Sequence, residues 1–486
     1  MLEYKKDALL VFVLLAITYS YFYHDPGVNG NSRVGLIFAI VQEGRLTIDS
    51  FHDKKGTATG DKSFYQGHFY SDKAIGTSLV GSIFYLPIYW LTQLLGLTLS
   101  TWIVKYFLTF FVIGLPSALA GSLIYVVCKI ISASELRAFI VTVAITLGTM
   151  YLPFSVIFFG HQLAASLLFC AFFMIFQLKA KPDRCKKRHM FLIGLLLGLS
   201  LITEYTTPVI VLPLIIYYFY VPWNGQSFRR GMSIAIPVLG GLIPVAIMLI
   251  YNTLCFGNPL SIGYEHTYDP YYARSLAQGL MGIGWPRPKV LYYLTVHPAQ
   301  GLFWQSPVLI MALVGAYFMF RAKQYRAEAV LATIAVLSYL LIDSGFFSWW
   351  GAWSFGPRHI IPMLPFLCLP LIFVPCRLFF LVVILSLVSV SQMFIVAASV
   401  VTVPDPMMVR IEELSYFQWS SIYSYCWKRL VGGSYATNLG HKLFGLRNWK
   451  SLLPIMLAML SITGILLIMK SPKLNHLPQN VGQQLN

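Results

Sequence analysis

Apolar segments long enough to cross a bilayer alternate with polar connections along most of the chain. A membrane-spanning α-helix needs about 20 mainly apolar residues. A transmembrane β-barrel would instead show short segments in which apolar and polar positions alternate. The pattern therefore predicts an all-α polytopic membrane protein, with a single transmembrane domain that covers residues 1–486.

The apolar pattern predicts about twelve crossings, and basic residues set their orientation, because Lys and Arg collect in cytoplasmic loops. Lys5 and Lys6 precede the first apolar segment, and Lys470 and Lys473 follow the last one. Both termini, including a tail over residues 470–486, are therefore expected in the cytoplasm. The predicted crossings are residues 8–23, 107–131, 138–159, 162–178, 191–203, 207–220, 232–251, 301–320, 329–342, 360–374, 378–401 and 452–469.

One further apolar segment, residues 74–97, is long enough to span but conflicts with the charge pattern. If it crossed, the basic loop at residues 179–189 would lie outside the cell, against the positive-inside rule. The segment is therefore predicted to be re-entrant or interfacial. The alternative is an additional crossing nearby that the pattern does not reveal.

Three long polar loops are predicted on the outer face, over residues 24–106, 252–300 and 402–450. Within the first loop, residues 33–43 carry apolar side chains at helical spacing. That spacing is typical of a short helix that lies in the membrane interface. The sequence thus predicts juxtamembrane or re-entrant helices within the first outer loop.

Composition agrees with this organisation and excludes several classes of function. The chain is 57% hydrophobic and 11% charged, with a mean hydropathy of +0.69, which exceeds what a soluble domain buries. The net charge of +17 lies mostly in short connections without a basic face or a binding motif, so nucleic acid is not an expected partner. The sequence contains no GxxxxGK phosphate loop and no dinucleotide fingerprint. Its seven scattered Cys have no CxxC spacing, which argues against a zinc or redox site.

The stretch from residue 29 to residue 76 is rich in groups for acid–base or metal chemistry. It holds five of the 18 acidic residues, and Asp72 is followed directly by Lys73. This pair enters an apolar segment, where the dielectric constant falls. We therefore expect Asp72 to act as a general base or metal ligand and Lys73 to bind phosphate. The alternative interpretation is a solvated ion pair at the membrane interface.

Three further clusters are predicted to reach the same outer face. His161 lies between two apolar helices, and Glu204 lies at a turn between two short ones. Each is a candidate ligand-binding residue, with an ordinary helix cap or a water-facing side chain as the alternative. An aromatic run that includes Trp350 leads to Arg358, whose guanidinium at a helix N-terminus suits a phosphate. The aromatics alone are also typical of an interfacial belt.

At these residues the chain resembles the GT-C superfamily of membrane glycosyltransferases. It is most similar to the branch that includes protein O-mannosyltransferases and the aminoarabinose transferases acting on lipid A. Asp72 and Lys73 match an acid–Lys pair of the latter enzymes, although Ala74 and Ile75 replace the prolines that follow it. His161 stands where these enzymes place a polar residue, usually Asp. The run WWGAWSFGPRHIIPMLPFL is similar to one in bacterial members.

The chain also departs from this resemblance at one point. Such enzymes usually carry an acid near the start of the first loop, closely before an Arg. Here Arg33 matches the arginine, but Asn31 stands where an acid would be expected. The resemblance therefore implies either that another acid, Asp72, Asp49 or Asp25, is the base, or that catalysis is lost.

The resemblance implies a GT-C-like fold and an inverting glycosyltransferase of the plasma membrane. Its donor would be a polyprenyl-phosphate sugar, and its acceptor a glycan, lipid or protein on the extracytoplasmic face. Asp72 is then expected to be the base, while Lys73, Arg33 and Arg358 stabilise the phosphate.

The substrate-binding residues expected beside these groups are Asn31, His161, Glu204 and Trp350. Asp72 and His161 are also candidate ligands of a divalent cation, Mg²⁺, Mn²⁺ or Zn²⁺, although no ligand spacing requires one. The main alternative function is a flippase or other transporter of lipid-linked sugars, which should place its charges at mid-membrane. The acids here are predicted near the outer edge, which favours an enzyme. An inactive scaffold is the third possibility.

Overall fold

The computed structural model of the chain describes residues 5–180, 186–220, 230–404 and 420–468. These residues form mainly helices, whose apolar side chains pack into one large hydrophobic core and two smaller clusters beside it. The α-helices of the first half are α1 Lys5–Tyr21, α2 Gly27–Phe38, α3 Gly76–Leu94, α4 Thr101–Leu108, α5 Leu115–Ser132, α6 Glu135–Thr146, α7 Tyr151–Ser155, α8 Gly160–Ala180, α9 Lys187–Thr203, α10 Pro208–Tyr220 and α11 Arg230–Phe256.

The second half of the chain continues this arrangement with shorter helices between the long ones. Its α-helices are α12 Pro270–Leu276, α13 Pro288–Thr295, α14 Leu302–Gln305, α15 Leu309–Arg321, α16 Arg326–Gly345, α17 Leu364–Cys368, α18 Phe379–Ser399, α19 Lys428–Val431, α20 Leu439–Phe444 and α21 Leu453–Ile468. Segments of π-helix are Ala39–Glu43, Thr109–Gly114 and Ile422–Trp427, and 3₁₀-helices are Gly263–His266, Lys323–Tyr325, Arg358–Met363, Leu369–Phe373, Cys376–Leu378 and Asn448–Leu452.

Six helical stretches among the described residues are long and apolar enough to cross a membrane. They are Thr101–Ser132, Gly160–Ala180, Gly231–Phe256, Lys323–Gly345, Cys376–Ser399 and Asn448–Leu466, with shorter apolar stretches at Pro208–Tyr220, Leu309–Arg321 and Arg358–Phe373. The predicted class, an all-α polytopic integral membrane protein, is confirmed. The number of crossings, the side on which each loop lies and the division into three outer loops stay predictions. The predicted cytoplasmic tail and part of the third predicted loop lie outside the described residues.

Two predicted crossings are interrupted in the structure. Residues 138–159 were expected to form one helix, but α6 ends before Gly148 and α7 begins after it. A Cβ on Gly148 would lie 3.2 Å from the Cβ of Ser389 in α18, so this glycine marks a close approach of two segments. Residues 360–374 are divided among 3₁₀-helix and α-helix because Pro362, Pro365 and Pro370 each lack the N–H that a continuous helix needs.

The first polar loop holds more ordered structure than its sequence indicated. Helix α2 begins at Gly27 rather than at residue 33, and its residues from Asn29 to Phe38 are all buried. Helix α3 is continuous over 19 residues and is not among the six stretches above. Whether it crosses the membrane or lies in the interface stays a prediction.

An antiparallel hairpin, which the apolar pattern did not reveal, joins these two helices. After strand β1, Phe22–Tyr23, the chain forms β2, Lys62–Tyr65, which pairs with β3, His68–Ser71, so that Lys62 lies opposite Ser71. The turn residues Gln66 and Gly67 have φ angles of 48° and 87°, as the tight turns of two-residue hairpins require. A second short pair joins Phe22–Tyr23 to Thr437–Asn438, so the end of α1 contacts the C-terminal part of the chain.

Helices α9 and α11 cross at glycines, which let the two backbones approach closely. A Cβ on Gly194 would lie 1.8 Å from the carbonyl oxygen of Pro237, and a Cβ on Gly198 would lie 2.4 Å from that of Gly241. Neither gap accepts a methyl group without separating the helices. Because Glu204 follows α9 directly, this crossing also fixes one wall of the site described below.

We predict that Gly194→Ala destabilises the protein by about 1–3 kcal/mol, as overpacking of an interior does. The measurement is the thermal unfolding midpoint of the purified protein in detergent. Gly231→Ala is the matched control, since nothing lies within 4 Å of a Cβ at that helical position. Equal midpoints for the two variants would contradict the close crossing.

Candidate functional site

Elements from both halves of the chain enclose a cavity of about 640 Å³. Its walls include residues of α2, of the hairpin end, of the loop after α9, of the C-terminal part of α16 and of the 3₁₀-helix Arg358–Met363. Six of the predicted site residues line it, namely Arg33, Asp72, Lys73, His161, Glu204 and Arg358. The fold thus brings together side chains that the sequence distributes over four separate clusters.

Arg33 and Glu204 form a buried ion pair at the cavity wall. The Arg33 side chain is 2% exposed, and its Nη2 donates to Glu204 Oε1 at 3.1 Å. Its Nη1 donates to Asn29 Oδ1 at 2.5 Å, one helical turn earlier. Burial raises the pKa of Glu204, and the charge of Arg33 opposes this rise. Because a buried charge is costly without a partner, the pair fixes α2 against the end of α9.

Lys73 lies between two carboxylates that the hairpin places side by side. Asp61 precedes β2 and Asp72 follows β3, so both flank the open end of the hairpin. Lys73 Nζ is 2.8 Å from Asp61 Oδ2 and 3.0 Å from Asp72 Oδ2. Ser32 Oγ donates to Asp72 Oδ1 at 3.2 Å. Hydrogen bonds on both oxygens therefore hold the Asp72 carboxyl group in one orientation.

The two acids beside Lys73 differ in basicity. Burial raises the pKa of Asp72, and the Lys73 ammonium opposes this rise only in part. Burial acts on Asp61 in the same direction, but attraction to Lys73 outweighs it and the pKa of Asp61 falls below its ordinary value. Burial favours neutral Lys73, yet Asp61 and Asp72 together raise the pKa of this ammonium. Asp72 is therefore the stronger base of the two carboxylates.

Arg358 differs from the other two cations of the cavity because no carboxylate among the described residues pairs with it. Its guanidinium carbon lies 4.9 Å from the centroid of the Phe159 ring, and its Nε is buried without a hydrogen-bond partner. Arg33 and Lys73, by contrast, each form ion pairs. Within the described ranges, Arg358 is the cavity cation left available to an anionic ligand.

Two imidazoles adjoin this charged group. His161, near the start of α8, places its Nδ1 3.4 Å from Glu204 Oε2. Its ring meets that of His359 edge to face, with 5.2 Å between centroids, and His359 in turn meets Phe346 at 5.2 Å. A continuous row of contacts therefore runs from Glu204 through the two histidines to Phe346.

Two predicted binding residues, Asn31 and Trp350, lie outside the cavity lining. Asn31 is buried, and its Nδ2 donates to the carbonyl of Ala58 at 2.9 Å. Trp350 is also buried and packs edge to face against Trp349. Trp353 lines the cavity instead. The predicted binding roles of Asn31 and Trp350 stay predictions.

Asp61 lines the cavity, although the sequence alone did not assign it to the site. Its signal is present in the sequence, because Asp61 and Asp72 are symmetric about Gln66-Gly67 in DKSFYQGHFYSD. A two-residue turn at that centre places the two acids opposite each other.

The other two acids considered as a base, Asp49 and Asp25, each have partners other than Lys73. Asp49 is absent from the lining and accepts hydrogen bonds from His68 Nδ1 and the Phe69 amide. Asp25 lines the cavity and pairs with Lys105 at 3.0 Å.

The two predicted metal ligands, Asp72 and His161, face different partners. Among the residues that the structure describes, no three His, Cys, Asp or Glu side chains form a group able to hold a metal ion. Asp72 is occupied by Lys73, and His161 faces Glu204 rather than Asp72. We therefore derive no chemical step through a metal, and shared ligation by Asp72 and His161 stays a prediction.

Comparison with known proteins finds a distant likeness to two crystal structures of ArnT from Cupriavidus metallidurans. The structure of ArnT bound to undecaprenyl phosphate aligns with a TM-score of 0.46 and 13% identity over 96% of this chain and 76% of that one. The apo structure aligns with a TM-score of 0.46 and 14% identity over 96% and 72%. No protein-family model and no curated protein matches the chain. Because the likeness is distant, we base the functional proposal on the cavity.

We predict that Glu204→Ala lowers the free energy of unfolding by about 3–5 kcal/mol, since it leaves the Arg33 guanidinium buried without its carboxylate. The readout is thermal unfolding in detergent. Glu43→Ala removes an exposed acid whose carboxylate accepts a bond from Ser50 at 3.3 Å, and it should leave the midpoint unchanged. A midpoint for Glu204→Ala equal to that of the wild type would show that the pair does not stabilise the fold.

Proposed function

We propose that the protein is a glycosyltransferase that moves a sugar from a polyprenyl-phosphate donor to an acceptor hydroxyl on the extracytoplasmic side. The observation that carries this proposal is the convergence of Arg33, Lys73 and Arg358 on one cavity, whose lining also includes six acids and many aromatic and aliphatic side chains. Cations in a low-dielectric cavity suit a phosphate, and apolar walls suit an isoprenoid chain. The resemblance of the sequence motifs to the GT-C superfamily supports the same reaction.

Arg358 is the first candidate to bind the donor phosphate. Its guanidinium offers several N–H donors in a plane and has no acidic partner among the described residues. Lys73 and Arg33 are held by carboxylates, so they act as fixed positive charges beside the phosphate. As the bond between the sugar and the phosphate breaks, negative charge grows on the phosphate oxygen. Positive groups that are fixed in advance stabilise that charge without reorganising.

Asp72 is the proposed general base. The acceptor hydroxyl gives its proton to the Asp72 carboxylate, and its oxygen attacks the anomeric carbon of the donor sugar. The bond from this carbon to the phosphate oxygen breaks, and its electron pair leaves with the lipid phosphate. Attack opposite the leaving group inverts the anomeric centre. Burial makes Asp72 more basic than an exposed aspartate, while Lys73 and Ser32 orient the carboxylate.

We predict that Arg358→Met reduces the affinity for polyprenyl phosphate at least tenfold, because it removes the cation without a carboxylate partner. Binding is measured with purified protein in detergent, beside transfer of radiolabelled sugar from polyprenyl-phosphate donors. Arg377→Met, an exposed arginine outside the cavity lining, is the control. A folded wild type that binds the donor but forms no glycosylated product would instead support the flippase.

We also predict that transfer depends on the ionisation of Asp72. Burial raises the pKa of Asp72 above the ordinary value of about 3.9, so kcat/KM should fall as the pH decreases through that raised value. Asp72→Asn should abolish turnover in a protein that still folds, because Asp61 remains as a carboxylate partner of Lys73. The pKa of Asp61 is lowered, so a profile governed by Asp61 would inflect below the ordinary value. Undiminished turnover in Asp72→Asn would overturn the assignment of the base.

A further inference from the structure

A buried carboxyl group, Asp343, lines the same cavity as the three cations. It lies near the C-terminal end of α16 and is 4% exposed. Its Oδ2 has no hydrogen-bond partner, and no described residue forms an ion pair with it. The other acids of the lining, by contrast, each have a partner. Asp25, Asp61, Asp72 and Glu204 form ion pairs with cations, and the Asp269 side chain caps the N-terminus of α12.

Among the described residues, Arg287 interacts electrostatically with Asp343 through its positive charge but forms no ion pair with it. The hydrogen bonds of Arg287 go elsewhere: its Nε donates to the Ser344 carbonyl at 3.1 Å, and its Nη2 donates to the Phe346 carbonyl. The guanidinium is therefore held by backbone oxygens. A buried polar group without a partner is costly, and in native proteins it calls for an explanation.

The surroundings of Asp343 connect it to the phosphate-binding cluster. Tyr339 lies one helical turn before Asp343, and its hydroxyl is 3.3 Å from Thr206 Oγ1. Both residues line the cavity, and Thr206 lies two residues after Glu204, the partner of Arg33. A short segment of chain thus joins the two polar parts of the cavity. In a sugar phosphate, the first sugar ring is likewise attached directly to the phosphate.

We infer that Asp343, with Tyr339 and Thr206, forms a subsite that binds hydroxyl groups of the donor sugar. This inference rests on the function proposed above. The carboxyl group accepts hydrogen bonds from ring hydroxyls, while the Tyr339 and Thr206 hydroxyls both donate and accept. The subsite selects the sugar, and the cations hold the phosphate. Asp343 has no role in proton removal from the acceptor, which remains with Asp72.

The test separates recognition of the sugar from recognition of the phosphate. Wild-type protein, Asp343→Ala and Asp343→Asn are purified in detergent and titrated with a panel of polyprenyl-phosphate hexoses and pentoses, and with the same polyprenyl phosphate without a sugar. We expect the wild type to bind at least one sugar-bearing lipid more tightly than the bare lipid. Asp343→Ala should weaken that binding about tenfold or more and leave the bare lipid unaffected. Asp343→Asn, which still offers a carbonyl oxygen, should lose less.

Glu328→Gln is the matched control, because Glu328 is a buried acid at the other end of α16, outside the cavity, where it pairs with Lys179 at 2.7 Å. It should bind both kinds of lipid as the wild type does. Thermal midpoints identify any variant that fails to fold.

The outcomes distinguish the two proposals. A wild type that binds neither lipid would overturn the proposed function together with the subsite. A wild type that binds the bare lipid as tightly as every sugar-bearing one would overturn the subsite alone. The subsite also fails if Asp343→Ala and Asp343→Asn bind the sugar-bearing lipids as the wild type does. Equal losses for both kinds of lipid would assign Asp343 a structural role instead.

Discussion

The cost of burying charge is the constraint on which this structure depends. Arg33 is one of the largest fully buried side chains of the protein, and an isolated guanidinium at such a position would be strongly destabilising. Glu204 and Asn29 remove that cost: Asn29 lies one turn earlier in α2, and Glu204 follows the end of α9. Lys73 is stabilised in the same way by Asp61 and Asp72. Helices α2 and α9 and the hairpin are therefore held together by the same groups that give the cavity its charge.

This arrangement divides the cations into two kinds. Arg33 and Lys73 have their own counterions and contribute a fixed positive field, whereas Arg358 rests on an aromatic ring without a carboxylate. A ligand phosphate adds negative charge to a region where three acids already balance part of the positive charge. Tight binding of the phosphate alone is therefore not expected from this geometry, and the sugar and the lipid chain must supply part of the affinity.

The sequence predicted the class of fold and most of the cavity, since long apolar segments and rare polar residues between them are strong signals. Six residues that the sequence analysis selected line one cavity, namely Arg33, Asp72, Lys73, His161, Glu204 and Arg358. Asn31 and Trp350 do not, because the direction of a side chain on a buried helix or in an irregular loop depends on tertiary packing. Residues 138–159 looked like one crossing because hydropathy does not show the close approach at Gly148. The sequence does not identify Asp343 as a site residue, because neighbouring residues in the chain do not show whether its carboxyl group has a partner in the fold.

The hairpin between α2 and α3 limits how this region of the chain can change in length. Side chains of a strand alternate between two faces, so a shift of one residue moves each of them to the opposite face. Asp61 and Asp72 face Lys73 because equal numbers of residues separate them from the turn at Gln66-Gly67. A single inserted residue in either strand would rotate one acid away from the ammonium. Two inserted residues, one in each strand, would keep the pair opposed and move the turn outward. Natural length variation in this segment should therefore occur in steps of two.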